Sequence, residues 1–237
     1  MSLIANNITA GYGKVQILTN VGIHLAPGEI HCVFGPNGSG KSTLLKVCAG
    51  VLKPWSGALE LDGQNLLGFL GHEFIRAGIV TVPQSGGVFS ELSVLENLQA
   101  GGLALTDKTA VRASIESMLE RFPILHEKKQ ARAGSLSGGQ RMLLAFARAL
   151  VSKPKVLLLD EPSAGLAPVV VKEVFGLIRD LRAQGPAILL VEQAVKDALP
   201  LADKVTVLAQ GEVQFSGFAK DINETELAKA YLGLTKA

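Results

Sequence analysis

Four short runs along the chain are apolar at nearly every position: Ile30-His31-Cys32-Val33-Phe34, Ile79-Val80-Thr81-Val82, Val156-Leu157-Leu158-Leu159 and Ala187-Ile188-Leu189-Leu190-Val191. Continuous runs of this length predict strands buried on both faces, as in a parallel sheet. Between them the apolar spacing changes to that of helices. Leu44 to Ala49 follows the first run, and Val111, Ile115, Met118, Leu119 and Phe122 share one face that ends at Pro123. Met142, Leu143, Phe146 and Leu150 mark a third helix, closed by Lys153-Pro154, and Val170, Val174, Phe175, Ile178 and Leu181 a fourth, closed by Gln184-Gly185-Pro186. Ser93-Val94-Leu95-Glu96 is a capping box that opens another.

The remaining strands read differently. Residues 3–10 alternate weakly and predict an edge strand, followed by a Gly11-Tyr12-Gly13 loop. A second strand runs from Val15 to Leu25 and stops at Pro27-Gly28, and Ala58 to Gly63 predicts a short hairpin arm. Lys204 to Phe215 reads as two strands around Gln210-Gly211. Asn223 caps a last helix, Glu224 to Leu232, whose face of Leu227, Tyr231 and Leu234 should pack on the body. Alternating strands and helices make this an α/β protein with a largely parallel sheet. The run of helices beginning near residue 90 predicts a mainly helical insertion, with 126–134 as a polar linker.

Composition narrows the class. The 237 residues allow one large domain or two small ones. A net charge of +2 gives no global field for a polyanion, and the short basic stretch Lys128, Lys129, Arg132 lacks the aromatic residues of a nucleic-acid surface. No apolar run approaches the ~20 residues of a membrane span. Met1-Ser2-Leu3-Ile4-Ala5-Asn6 lacks the features of a secretory signal. Cys32 and Cys48 sit in apolar surroundings and are expected to be buried free thiols. Together these predict a cytoplasmic protein, and a hydrophobic share of 48% leaves room for a face that docks on something apolar.

Candidate chemistry lies at the strand ends. Gly35-Pro36-Asn37-Gly38-Ser39-Gly40-Lys41-Ser42-Thr43 stands between a strand and a helix, the context of a phosphate-binding loop. Its glycines let backbone N–H groups converge on an anion, with the following helix N-terminus behind them. Lys41 would reach the β- and γ-phosphates and the Ser42 hydroxyl would take a place on Mg²⁺. Asp160-Glu161 ends the third apolar run. Two carboxylates there are costly unless they meet a cation, which suits Asp160 to Mg²⁺ and Glu161 to the attacking water. Ser137-Gly138-Gly139-Gln140 opens a helix with two glycines that waste helix propensity, which suits either close approach by a ligand such as an anion or a plain glycine-capped helix start. Tyr12 is either a surface tyrosine on a turn or a flat face for adenine, and Gln84 either a loop residue or an amide reaching a site above the sheet.

These motifs resemble, over essentially the whole chain, the ATP-binding cassette ATPases that drive membrane transporters. Residues 35–43 look like the Walker A loop, 156–161 like Walker B with the catalytic glutamate, and 136–140 like the signature sequence, which other P-loop proteins lack. The resemblance implies a RecA-like P-loop core at about 1–89 and 153–237, with an antiparallel β arm and an inserted helical subdomain at about 90–152. It implies that Tyr12 stacks on adenine and that Gln84 joins the metal and γ-phosphate to the membrane subunits. It also implies that each signature completes the ATP site of a second ATPase subunit. The expected partners are therefore that subunit, membrane permeases and, indirectly, an extracellular substrate-binding protein, with the chain on the inner face of the membrane. Two positions depart from the family: Gln193 replaces the usual γ-phosphate-sensing histidine, and Ala167 the usual aspartate. Both are similar to the subclass that takes up branched-chain and other hydrophobic amino acids, and its relatives for urea or short amides. Ser85-Gly86-Gly87 differs from that subclass, which often has Gly-Arg there. An export ATPase and a non-transport cassette ATPase are the competing readings.

Overall fold

The computed structural model describes residues 2–231. The chain opens with an antiparallel hairpin, β1 (Leu3–Tyr12) and β2 (Val15–Leu25), then enters the main sheet at β3 (Ile30–Phe34). The phosphate-loop segment leads into α1 (Lys41–Cys48), and β4 (Ser56–Leu61) and β5 (Gln64–Asn65) return to the first sheet. After α2 (Gly71–Ala77) and β6 (Ile79–Val82) come four helices: α3 (Val94–Gly101), α4 (Lys108–Arg121), α5 (Pro123–Glu127) and α6 (Gly138–Leu150). Then follow β7 (Val156–Asp160), α7 (Pro168–Arg182), β8 (Ala187–Val191), α8 (Val195–Ala198), β9 (Lys204–Ala209), β10 (Glu212–Phe218) and α9 (Glu224–Tyr231).

Among the described residues there are two sheets, of order β2-β1-β4-β5 and β10-β9-β3-β8-β7-β6. In the second, β9, β3, β8, β7 and β6 pair in parallel and only β10 is antiparallel. The continuous apolar runs are explained by what covers the two faces. Leu157 and Leu159 pack into one core cluster with α3 to α7, while Val156 and Leu158 pack into another with α1 and the four-stranded sheet. A strand between two apolar layers has no polar face to show.

Three expectations need correction. β1 is not an edge strand, since β2 and β4 pair with it on its two sides. Its weak alternation comes from register shifts between Ala5 and Ala10, where Asn7 takes a positive φ of 52°. Gly11 and Tyr12 belong to the strand, and the turn sits on Gly13-Lys14. α4 ends before Pro123 as expected, but the start of the expected 126–134 linker is helical: Pro123 takes the first turn of α5, where its missing N–H costs nothing, α5 runs to Glu127, and Leu125 is fully buried. Asn223 caps α9 through its Oδ1 and the Glu226 N–H at 2.8 Å, and Leu227 is buried as expected; Leu232 and Leu234 lie outside the described residues.

Candidate nucleotide site

The ends of β3, β7 and β8 lie side by side, because Val33 pairs with Val191 and Asp160 pairs with Val191 in register. Loops that leave these strand ends must therefore share one crevice, where ligands of open α/β sheets bind. The first is the glycine-rich loop. Gly35, Gly38 and Gly40 all have positive φ. A Cβ on Gly35 would meet the Leu208 carbonyl oxygen at 2.1 Å and Ser39 Oγ at 2.6 Å, so only glycine fits there. The Ser39 hydroxyl is buried without a hydrogen-bond partner, an orphan that a phosphate oxygen would satisfy.

Lys41 is buried (4% exposed) and its ammonium donates to the carbonyls of Gly35 at 2.8 Å and Pro36 at 3.1 Å. It also lies 3.7 Å from Glu161 Oε1. Burial lowers the Lys41 pKa from its ordinary value, and the Glu161 charge opposes the shift. Ser42 donates to Asp160 Oδ1 at 3.2 Å. Burial raises the Asp160 pKa, and that hydrogen bond opposes the rise. This hydroxyl and carboxylate are the hard oxygen donors that Mg²⁺ selects. Among the described residues no cluster of three or more His, Cys, Asp and Glu assembles, so a metal held here would take most of its ligands from phosphate and water.

Glu161 is the hub. It has a positive φ of 44°, a strained conformation for a non-glycine residue, fixed by its N–H to the Val191 carbonyl at 2.9 Å. Gln84 donates to its Oε2 at 3.1 Å. Gln193 donates to its Oε1 at 2.7 Å and to Asn37 Oδ1 at 2.7 Å, so one amide ties the carboxylate to the tip of the glycine-rich loop. Gln84 is thus placed on Glu161 rather than on the Ser42–Asp160 pair where a metal ligand was expected.

Two sequence-predicted groups stand apart. Ser137 caps α6: its hydroxyl accepts from the Gln140 N–H at 3.3 Å, and Gln140 Oε1 accepts from the Ser137 N–H at 3.1 Å. Among the described residues, Ser137, Gly138, Gly139 and Gln140 make no hydrogen bond to the phosphate loop. Tyr12 is 45% exposed, with its hydroxyl 3.3 Å from Lys46 Nζ and its ring 5.5 Å from that ammonium. Three polar residues were missed. Glu192, 1% exposed, accepts from the N–H groups of Ser163 at 3.0 Å and Gln193 at 3.1 Å and so fixes the loops after β7 and β8 together. Asn97 and Arg148 hold the loop that follows Gln84; each is a polar residue inside an apolar helical pattern, the one signal that could have found it.

The chain is also similar to known proteins. The ABC transporter family matches residues 18–164. The chain is 42% identical over 229 residues to BraG of Pseudomonas aeruginosa, a high-affinity branched-chain amino acid transport ATP-binding protein, covering 96% of this chain and 98% of that one. It is 41% identical over 220 residues to LivF of Archaeoglobus fulgidus, a probable branched-chain amino acid transport ATP-binding protein, covering 92% and 93%. A crystal structure of an ATP-binding cassette of an ABC transporter in its ADP conformation superposes with a TM-score of 0.86 at 30% identity, covering 98% of this chain and 99% of that one.

Proposed function

Because the chain belongs to the ABC transporter family, whose ATP-binding cassettes are ATPases, we propose that it hydrolyses ATP at a dimer interface to power uptake of branched-chain or other hydrophobic amino acids. The observation that carries this reading is the convergence on one carboxylate. Lys41, Gln84 and Gln193, from three separate segments, all lie within 3.7 Å of Glu161.

In this reading Glu161 polarises the attacking water, and Gln84 and Gln193 hold its two oxygens in place. Lys41 and the backbone N–H groups of residues 38–43 take the charge of the β- and γ-phosphates. Ser42 and Asp160 would hold Mg²⁺, which would supply charge neutralisation at the phosphates. Tyr12 stacks on adenine. Ser137, Gly138 and Gly139 complete the ATP site of a second subunit, which fits the exposure of Ser137 and Gly138 and the lack, among the described residues, of a hydrogen bond from any of the three to the chain's own phosphate loop. The described residues up to about 89 and from about 153 onward form the core of a single ATPase domain, and about 90–152 its helical subdomain.

The partners in this reading are a second cassette subunit, a membrane permease and, through it, an extracellular substrate-binding protein. Among the described residues no helix is long and apolar enough to cross a membrane. In this reading the permease supplies the pathway and the chain sits on the inner face. The segment Gln84 to Ser93 faces the permease. Its Phe89 is 53% and its Leu92 38% exposed, as an apolar docking surface requires. The amino-acid substrate rests on the likeness to BraG and LivF.

Glu161→Gln tests the mechanism. The variant should bind ATP, accumulate as a dimer on size exclusion with ATP and Mg²⁺, and lose hydrolysis by at least about a hundredfold, the usual weight of a positioned base. Hydrolysis at the normal rate would overturn the role given to Glu161.

A further inference from the structure

The segment from Gln84 to Ser93 connects β6 to α3, yet most of what fixes it comes from the helices. Asn97 of α3, fully buried, accepts from the Phe89 N–H at 2.8 Å and donates to the Phe89 carbonyl at 3.0 Å. Arg148 of α6 donates from Nη1 to the Gly87 carbonyl at 2.7 Å and from Nη2 to the Gly86 carbonyl at 3.2 Å. Its guanidinium also lies 5.2 Å from the centroid of the Phe89 ring. Gly86 and Gly87 have φ of 72° and 59°, and this pair of left-handed residues presents two successive carbonyls to one planar fork.

The attachment to the sheet is slighter. It consists of the end of β6, the Pro83–Gly86 turn closed at 2.7 Å, and the Gln84–Glu161 hydrogen bond. Arg148 and Ser137 stand at opposite ends of α6, about 16 Å apart at the helical rise. A displacement of the Ser137 end reaches Gly87 through this side chain, and Gly86 through it together with the Ala145 methyl and the Arg141 backbone packed beside it, and Gln84 lies two residues before Gly86. Arg148 is desolvated enough to lower its pKa, so a guanidinium left unpaired there would be costly.

We infer that Arg148 is a positioning residue that transmits movement of the helix beginning at Ser137 into Gln84, and through Gln84 onto Glu161. This rests on the ATPase reading above. A merely structural pin would have the same contacts, so the test must ask whether Arg148 acts through Gln84.

A double-mutant cycle does so. Arg148→Lys keeps the charge and loses the two-carbonyl grip. The expected result is a kcat lowered about tenfold, a KM for ATP within about twofold of wild type, and faster hydrogen exchange across residues 84–90. In a Gln84→Ala background the same substitution should lower kcat by less than about twofold. Phe89→Ala, at an exposed position that tolerates truncation, removes the stacking face and should give a smaller loss that also vanishes with Gln84→Ala. Losses of the same factor with and without Gln84, for both variants, would overturn the inference, as would an unchanged kcat in Arg148→Lys. Glu161→Gln is measured alongside. Continued hydrolysis in that variant refutes the ATPase reading itself, whereas its loss together with an additive cycle refutes only the role of Arg148.

Discussion

Replacing Gln193 with alanine takes two hydrogen bonds from one amide: 2.7 Å to Glu161 Oε1 and 2.7 Å to Asn37 Oδ1. The first is to a carboxylate that is only 8% exposed, and bonds to charged groups are worth about 1.5–3 kcal/mol. Gln193 itself is exposed, so water replaces part of what is lost and the lower end of that range applies. At about 1.4 kcal/mol per tenfold, kcat should fall about tenfold. Affinity for ATP should change little, because Lys41 and the loop amides keep their places. Gln193→His returns one donor to Glu161 but cannot span to Asn37 with the same nitrogen, so it should recover only part of the rate. A single-turnover measurement at saturating ATP, with KM determined separately, reads both quantities. A Gln193→Ala enzyme with wild-type kcat would refute the argument that this amide holds the carboxylate for catalysis.

Tyr12→Ala tests the adenine face. Base–aromatic stacking is worth about 1–3 kcal/mol, so the Kd for ATP measured calorimetrically should rise by roughly fivefold to a hundredfold with kcat unaltered, and an unchanged Kd would remove Tyr12 from the site. His31 tests the core. It is 2% exposed, its ring lies 3.2 Å from the His24 carbonyl oxygen and 2.8 Å from Thr206 Oγ1, and burial pushes its pKa from 6.5 down to about 4. Between those values the unfolded chain binds a proton that the folded chain refuses, so stability is full above about pH 6.5 and declines toward pH 4. The loss approaches about 3 kcal/mol at 1.36 kcal/mol per pKa unit. Urea titrations at pH 7 and 4.5 should show it, and His31→Gln should flatten that slope; an equal slope in the variant would assign the acid sensitivity elsewhere.

The strands of the main sheet were legible because burial on both faces leaves a continuous apolar signature that local sequence displays. β1 was misplaced for the opposite reason, since its register shifts break the alternation that marks a paired strand. α2 gave no signal because Phe74 is the one buried side chain in its seven residues. At the site, the glycine-rich loop, Asp160-Glu161 and Ser137-Gly138-Gly139 could each be read locally, because each needs a fixed spacing. Their mutual distances could not. Gln193 and Asn37 are 156 positions apart, and Gln84 and Glu161 are 77 apart, so only strand order brings them together. Arg148 and Asn97 were hidden for a subtler reason: their partners are backbone carbonyls and amides, which have no residue identity to read.

The hydrogen-bond network also says what a nucleotide must do on arrival. Lys41 is satisfied by two carbonyls and faces Glu161, while Asp160 is held by Ser42 and Glu192 lies buried behind the same strand ends. Among the described residues, buried Lys41 and, from the exposed side, Lys46 beside Asp160 thus stand against three carboxylates. A triphosphate entering this crevice would add several negative charges to a site already short of positive ones, and at close range inside a protein each such repulsion is worth kilocalories. The backbone N–H groups of the glycine-rich loop and the positive end of α1 offset part of this through fixed dipoles. In the proposed reading, Ser42 and Asp160 would hold a divalent cation that offsets the remainder, and Lys41 would exchange its carbonyl partners for phosphate oxygens. Glu161, released from Lys41 but still held by Gln84 and Gln193, would then keep its orientation while losing its ion-pair partner. In the proposed reading, that is the condition under which the carboxylate would act on water rather than on its neighbour, a role that suits the two neutral amides flanking it.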